Sequence, residues 1–351
     1  MKSAPASTND AAVSTRPATI CIYGAGSIGC YVGGRLAATG SDVTFVGREK
    51  LGQELRANGL HLTDWLGADL RVPPEKVRFA TSPQGAANAD LVLVTVKSAG
   101  TEEAGQQLAK LLKPGAVVIS FQNGLHNAEV LAKCLPGRTV LIGMVQFNVV
   151  NRGQGGFHAG SEGKLETEQH ASLAPFLGAF ERAGLPLQIH AQMPPVQWAK
   201  LLLNLNNPVN ALSNVPLKEE LSQRAYRRCV AMAQSELLGL LDAAGIRPAK
   251  LTPLPPHWIP RLLGVPDFVF SRLASKMLAI DPQARSSMWE DLEAGRKTEI
   301  DYINGEVLRL AEKQRRAAPV NARLIELIRA AESGGQRVWS GEDLLNELRK
   351  A

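Results

Sequence analysis

The run Thr19-Ile20-Cys21-Ile22-Tyr23-Gly24-Ala25-Gly26-Ser27-Ile28-Gly29 constrains this chain more than any other feature. A short β-branched stretch passes directly into G-x-G-x-x-G, and a helical pattern follows through Ala37. Strand, glycine turn and helix in that order predict a dinucleotide-binding βα unit. Gly24 permits the tight turn out of the strand. Gly26 lets backbone approach a pyrophosphate, and Gly29 lets helix and strand pack closely. Ala25, Ser27 and Ile28 fill the turn and the first helical residues, whose free N–H groups and partial positive charge suit phosphate. The plainer alternative is a glycine turn that binds nothing.

The next strand bears on which dinucleotide is bound. Val43-Thr44-Phe45-Val46 ends in Gly47-Arg48-Glu49-Lys50. A site for NAD usually carries Asp or Glu at this strand end, to hold the ribose 2′-OH. Arg48 stands there instead, and Asp42 lies at the opposite end. A planar guanidinium suits a 2′-phosphate, so NADPH/NADP+ is the expected cofactor. In the alternative, Arg48 is solvated and Glu49 holds the ribose.

Further apolar segments keep the same rhythm: Asp90–Val96, Ala116–Ser120 and Thr139–Met144 as strands, with Thr101–Leu112 as a helix. This predicts an α/β fold with an N-terminal Rossmann doubly wound sheet, whose ligands bind beyond the carboxyl ends of the strands. Lys97-Ser98 and Gln122-Asn123-Gly124 fall at two such ends. A length of 351 residues calls for two domains. The change comes at Met193-Pro194-Pro195. Beyond it, helical patterns over Val196–Leu212, Glu219–Ala244 and Ser287–Arg316 predict a mostly α-helical second domain. The expected divisions are a disordered leader over 1–18, a nucleotide-binding domain over 19–193 and a helical domain over 194–351. The Pro-rich stretch Leu251–Pro260 is expected to form a packed excursion or to close over the site.

Composition narrows the class. Hydrophobic content of 45% with 21% charged residues fits a globular chain, and no apolar run reaches membrane-spanning length. The net charge of +6 is mild, with no basic block interleaved with aromatics, so neither nucleic acid nor membrane is an expected partner. Arg309, Lys313, Arg315, Arg316 and Arg323 read as a solvated helix face. The four cysteines, Cys21, Cys30, Cys134 and Cys229, form no C-x-x-C pair. That predicts a reducing, cytoplasmic setting and no metal site, with Cys21 in the core.

Two clusters could carry chemistry. In Trp198–Pro208, helical spacing puts Lys200 and Asn204 on one face, with Asn207 near the same stripe. A lysine and two amides amid leucines are costly if buried alone, so this face is expected to border a polar cleft. A buried lysine loses pKa readily and becomes a proton donor near neutrality. Alternatively Lys200 reaches solvent and the asparagines bridge helices. The second cluster is Ser286–Asp301. There Ser287 and Glu290 read as a capping box, and the same helix N-terminus could receive a carboxylate. Glu299 reads by default as a surface carboxylate.

Taken in order, these motifs resemble the ketopantoate reductase family (2-dehydropantoate 2-reductase). They are G-x-G-x-x-G at Gly24–Gly29, Val96-Lys97, Gln122-Asn123-Gly124, W-x-K-x-x-x-N at Trp198–Asn204, Ser286-Ser287-Met288 and G-R-x-T-E-I-D at Gly295–Asp301. The resemblance runs from Ile20 to about Leu327. It implies a helical domain similar to the C-terminal domain of 6-phosphogluconate dehydrogenase. It also implies NADPH-dependent reduction of 2-dehydropantoate to (R)-pantoate, toward pantothenate and coenzyme A. Lys200 falls on the family's general acid. Glu299 falls on its essential carboxylate, also near the cofactor, and is expected to keep Lys200 charged. Lys97, Asn123 and Val149 fall on cofactor positions. Asn123, Lys200, Asn204, Asn207 and Ser287 fall on substrate positions.

The chain departs from the family on the substrate side. Asp281–Arg285 lacks the asparagine often found before Ser-Ser-Met, Leu217 replaces another, and the Pro-rich insertion before Phe270 is longer. Expected partners are a small-molecule 2-keto acid and, as an open question, a second copy in a homodimer. Two alternatives stand beside this reading: a reductase of a different 2-keto acid, and a non-catalytic NADP(H)-binding regulator.

Overall fold

The computed structural model describes residues 18–273 and 281–351. Nearly all of the expected leader lies outside the described residues. Apolar strands form first a parallel sheet whose members are buried on both faces. In chain order the strands are β1 (Thr19–Tyr23), β2 (Asp42–Val46), β3 (Leu60–Asp64), β4 (Asp69–Val72), β5 (Arg78–Ala80) and β6 (Leu91–Val94). There follow β7 (Val117–Ser120), β8 (Thr139–Val145), β9 (Val149–Gly153), β10 (Gly156–Ala159), β11 (Leu165–Glu168) and β12 (Leu187–His190).

The main sheet has the order β12-β11-β8-β7-β6-β1-β2-β5. From β5 to β8 every pairing is parallel, with Ile20 between Val43 and Leu91. β11 runs antiparallel to β8, and β12 runs parallel to β11. The chain winds outward in both directions from β1, so the crevice for a ligand opens between the carboxyl ends of β1 and β6. The central strands Leu91–Val94 and Val117–Ser120 are buried throughout, as a sheet covered on both faces requires. Cys21 and Cys30 are core residues, and burial pushes the Cys21 thiol up to about 12.

A second sheet, β4-β3-β10-β9, has no counterpart in the sequence reading. Its two hairpins come from distant insertions, joined by parallel pairing of His61–Asp64 with Gly156–Ala159. Beyond His190 the described residues are helical. Their core gathers Leu202, Leu205, Val209, Leu237, Val307 and Leu324 around the long helix Arg224–Ala243.

Three helices read as continuous are broken. The expected Val196–Leu212 helix is two, Pro194–Asn204 and Asn207–Ser213. Pro208 has no N–H to return to the Asn204 carbonyl, so the chain re-starts there. Glu219–Ala244 divides into Leu217–Ser222 and Arg224–Ala243, with extended Gln223 between them. Ser287–Arg316 divides into Ser287–Glu293 and Ile300–Lys313. Gly295, at φ +61°, makes the turn after the first of these, a conformation that favours glycine. In the Pro-rich stretch, residues 256–263 form short helical turns, and Ile259 and Leu263 pack into the helical core.

Candidate active site

The glycine turn behaves as three separate requirements. Gly24 adopts φ +107°, and a Cβ there would lie 2.5 Å from the Val96 amide nitrogen. A Cβ on Gly29 would lie 2.6 Å from Thr95 Oγ1 and 2.7 Å from Ile22 Cγ2. At Gly26 the only atom within range is the Gly24 carbonyl oxygen at 3.9 Å, so its face is open. The amides of Gly24 and Ala25 both donate to the Val46 carbonyl, at 3.0 and 2.8 Å, which ties the turn to the end of β2. The helix Ser27–Ala38 begins without a side-chain cap. Among the described residues, the amides of Gly26, Ser27, Ile28 and Gly29 have no protein acceptor. Four free donors beside an open backbone fit a pyrophosphate.

Arg48 is exposed where β2 gives way to the helix Glu49–Asn58, and makes no ion pair among the described residues. Glu49, the alternative ribose ligand, is exposed and bonds Arg56 instead. Lys97 pairs with the buried Asp291 carboxylate, which also accepts from Arg296 Nε at 3.1 Å. This pair joins the end of β6 to the helix Ser287–Glu293. Asp291 was not singled out in the sequence, although it lies in the cluster that holds Glu299.

The Gln122-Asn123-Gly124 loop is knitted to the turn after β6. Gln122 Nε2 donates to the Val96 carbonyl at 3.0 Å and to Thr101 Oγ1 at 2.7 Å. Glu299 closes this knot from the other side. Its Oε1 accepts from the Ser98 amide and hydroxyl, both at 2.9 Å, and its Oε2 accepts from Asn123 Nδ2 at 3.0 Å. Glu299 is thus a buried fastener at the start of the helix Ile300–Lys313, not a surface carboxylate. The expectation that it keeps Lys200 charged is corrected: among the described residues the two form no ion pair. All three hydrogen bonds to the carboxylate come from the sheet side.

Lys200 and Asn204 do share one face, and that face lines a cleft. Its walls are Asn123, Gly124 and Leu125 from the sheet, Met144 from β8, Gln197, Lys200, Leu201 and Asn204 from one helix, and Tyr302 and Ile303 from another. The cleft is open at its mouth, and the cavity inside it is small, about 20 Å³. Lys200 Nζ donates to the Gln146 carbonyl at 3.1 Å. Burial lowers its amine from 10.5 to about 8. Asn204 Nδ2 lies 3.5 Å from Asn123 Oδ1 across the cleft. Gln197, three residues before Lys200 on the same face, donates to the Leu125 carbonyl at 3.3 Å. Its spacing alone could have marked it.

Three further expected residues also lie outside this lining, as do the glycine turn, Arg48, Lys97 and Glu299. Val149 is buried in the apolar core at the start of β9. Asn207 begins the helix after the break, and its carbonyl accepts from Ser286 Oγ at 3.2 Å. Ser287 is half-buried at the first position of its helix. The cap is Ser286, whose hydroxyl accepts from the Trp289 amide at 3.1 Å; Trp289 rather than Glu290 stands at the third position, so the expected capping box on Ser287 and Glu290 does not form.

Residues 20–172 match the family described as Ketopantoate reductase PanE/ApbA, and residues 192–332 match Ketopantoate reductase PanE/ApbA C terminal. The chain belongs to the ketopantoate reductase family. It is 30% identical over 331 residues to the 2-dehydropantoate 2-reductase of Halobacterium salinarum, covering 90% of this chain and 99% of that relative. It is similar to the crystal structure of a PanE/ApbA family ketopantoate reductase from Ralstonia eutropha, with TM-score 0.76, 29% identity, and 90% and 99% of the two chains covered. D-mandelate dehydrogenase, solved with NADH and anilino(oxo)acetate, shares the fold at TM-score 0.74 and 21% identity over 90% and 99% of the chains. Ketopantoate reductases are oxidoreductases of CH–OH groups, and this chain is an enzyme of that class.

Proposed function

We propose that this enzyme reduces 2-dehydropantoate to (R)-pantoate with NADPH, a step toward pantothenate and coenzyme A. The observation that carries the reading is one cleft lined by Lys200, Asn204 and Asn123, with the Lys200 amine held by the Gln146 carbonyl at 3.1 Å. NADPH, when bound, supplies the hydride. The amides at the N-terminus of Ser27–Ala38 hold the pyrophosphate, and Arg48 takes the 2′-phosphate. Glu299 fixes Asn123 directly, accepting from its Nδ2, and ties it to Ser98 through its other oxygen.

Lys200 does the acid chemistry. As hydride reaches the C2 carbonyl, negative charge develops on its oxygen, and the Lys200 ammonium gives it a proton. Such a step contributes about 10²–10⁴-fold. An amine near 8 remains protonated at neutral pH, yet gives up its proton more easily than an ordinary lysine. Asn204 and Asn123 offer amide donors to the substrate's oxygens.

A second reading keeps the reaction and changes the acid. Met144, Leu125, Leu201 and Ile303 give the cleft an apolar wall. The fold is shared with a dehydrogenase solved with an aryl-substituted oxoacid analogue. A panel of 2-keto acids at saturating NADPH separates the two. Ketopantoate reduced with kcat/KM at or above about 10⁴ M⁻¹s⁻¹ supports the first reading. Ketopantoate inert while an aryl keto acid turns over supports the second.

A further inference from the structure

The sheet face that packs against the start of the helix Pro194–Asn204 holds a buried carboxylate that the proposed reaction does not use. Met144 packs there with Met193 and Val196. Glu166 on β11 is registered against Met144 on β8 and Gln188 on β12, so its side chain stands on the same face. Gln146, just past β8, and His190, at the end of β12, return to that face by the alternation of a strand. Glu166 is 2% exposed. One of its oxygens bonds His190 Nε2, and the other accepts from Gln146 Nε2. A buried carboxylate is costly unless it is paired and hydrogen-bonded, and this one is both.

Gln146 is the residue whose carbonyl accepts from Lys200 Nζ at 3.1 Å. That carbonyl is held in place from several directions. The Gln146 amide donates to the Lys164 carbonyl at 3.0 Å, and Gln146 Oε1 accepts from the Lys164 amide at 3.3 Å. Its Nε2 is tied to Glu166. Gly163 closes the remaining side, since a Cβ there would lie 2.8 Å from both the carbonyl carbon and the Cβ of Gln146.

We infer that Glu166 and Gln146 are positioning residues for the proton donor: Glu166, paired with His190, anchors the Gln146 side chain, and Gln146 presents its carbonyl to Lys200 Nζ. The inference rests on the proposed function, in which Lys200 is the acid. A lysine carries its charge on a flexible four-carbon stem, so a proton donor of this kind needs a fixed acceptor to aim it. Among the described residues Nζ has no other protein acceptor. A displacement of about 1 Å at a reacting group can cost about 10² in rate. The anchor also sits at the root of the helix that carries Lys200, because His190 ends the strand that leads into it.

The test compares Gln146→Leu, Glu166→Leu, Glu166→Gln and the Gln146→Leu/Glu166→Leu double variant in the full-length enzyme, on the 2-keto acid that wild type reduces fastest. Gln146→Leu and Glu166→Leu should each lower kcat about tenfold, with KM and NADPH affinity within about twofold of wild type. The amide of Glu166→Gln can accept from Gln146 and donate to an unprotonated His190 Nε2, so that variant should keep kcat within about threefold. The double variant should be no slower than the slower single one, because Glu166 acts only through Gln146. A further readout needs no turnover. An amine that has lost its acceptor is less often protonated, so acetylation of Lys200 by acetic anhydride at neutral pH, read by mass spectrometry, should quicken at least about threefold in Gln146→Leu. Wild-type kcat in Gln146→Leu, losses that add in the double variant, or unchanged labelling of Lys200 would overturn the inference. If Glu166→Leu does not fold, Gln146→Leu still decides, since it leaves Glu166 paired with His190. The acid role itself is judged separately by Lys200→Ala. Normal turnover there removes the proposed mechanism, whereas an inactive Lys200→Ala beside a fully active Gln146→Leu removes only the positioning role.

Discussion

The sheet side and the helical side of the candidate site are built from different material. On the sheet side the glycine turn, outside the cleft lining, is backbone: a turn at Gly24, an open face at Gly26 and a tight contact at Gly29. The helical wall is side chains: Lys200, Asn204 and Gln197 on one helix, with Tyr302 and Ile303 on another. A backbone site has one shape, and this one fits a pyrophosphate. A side-chain site keeps its reaction when the surrounding groups change if, as proposed, the proton donor and the specificity contacts sit on different residues. The departures from the family at Leu217 and Asp281–Arg285 fall together in the helical part of the chain, outside the cleft lining, where the Leu217 amide donates to the Ala284 carbonyl, while the glycine fingerprint is complete.

The comparison can be broken by substitution, and the largest effect is expected on the helical wall. Lys200→Ala should lower kcat by at least about 10²-fold while NADPH affinity stays unchanged, read by steady-state turnover and cofactor titration. Normal turnover in that variant would remove the acid role. Glu299→Gln comes next. It leaves Ser98 and Asn123 with a neutral partner, and hydrogen bonds to a charged group contribute about 1.5–3 kcal/mol. A loss of about 30-fold in kcat/KM is expected, with the helices still folded by circular dichroism.

On the sheet side the effects of changing the ligand-facing Arg48 and Gly26 should be smaller and fall mainly on the cofactor. Arg48→Ala should weaken NADPH binding about tenfold and leave NADH nearly unchanged, by fluorescence titration of both. Equal loss for both cofactors would return Arg48 to the role of a solvated charge. The smallest stability effect is expected for Gly26→Ala. The added methyl meets open space, so thermal unfolding should shift by no more than about 0.5 kcal/mol while cofactor affinity falls. Gly24→Ala is the control, since strain at positive φ and the close Val96 contact should cost at least about 2 kcal/mol of stability.

How much of this was legible follows the same division. The glycine turn, the parallel strands and the shared face of Lys200 and Asn204 are local patterns, written in adjacent residues. The four-stranded sheet was not legible, because β3 and β10 are short, partly polar segments that pair only in the folded chain. The helix breaks were half-visible. Pro208 announced one, but the leucine periodicity across it suggested continuity. Glu299 read from its own neighbours as a surface carboxylate, and only the family resemblance put it near the cofactor, since its partners Ser98 and Asn123 lie 201 and 176 residues away.

The most direct measurement is the rate of NADPH oxidation on ketopantoate as a function of pH. Lys200 is protonated below about 8 and neutral above it, so kcat should be sustained near neutrality and fall as pH rises through that value. No oxidation of NADPH at any pH, or a rate that stays flat through about 8, would contradict the account.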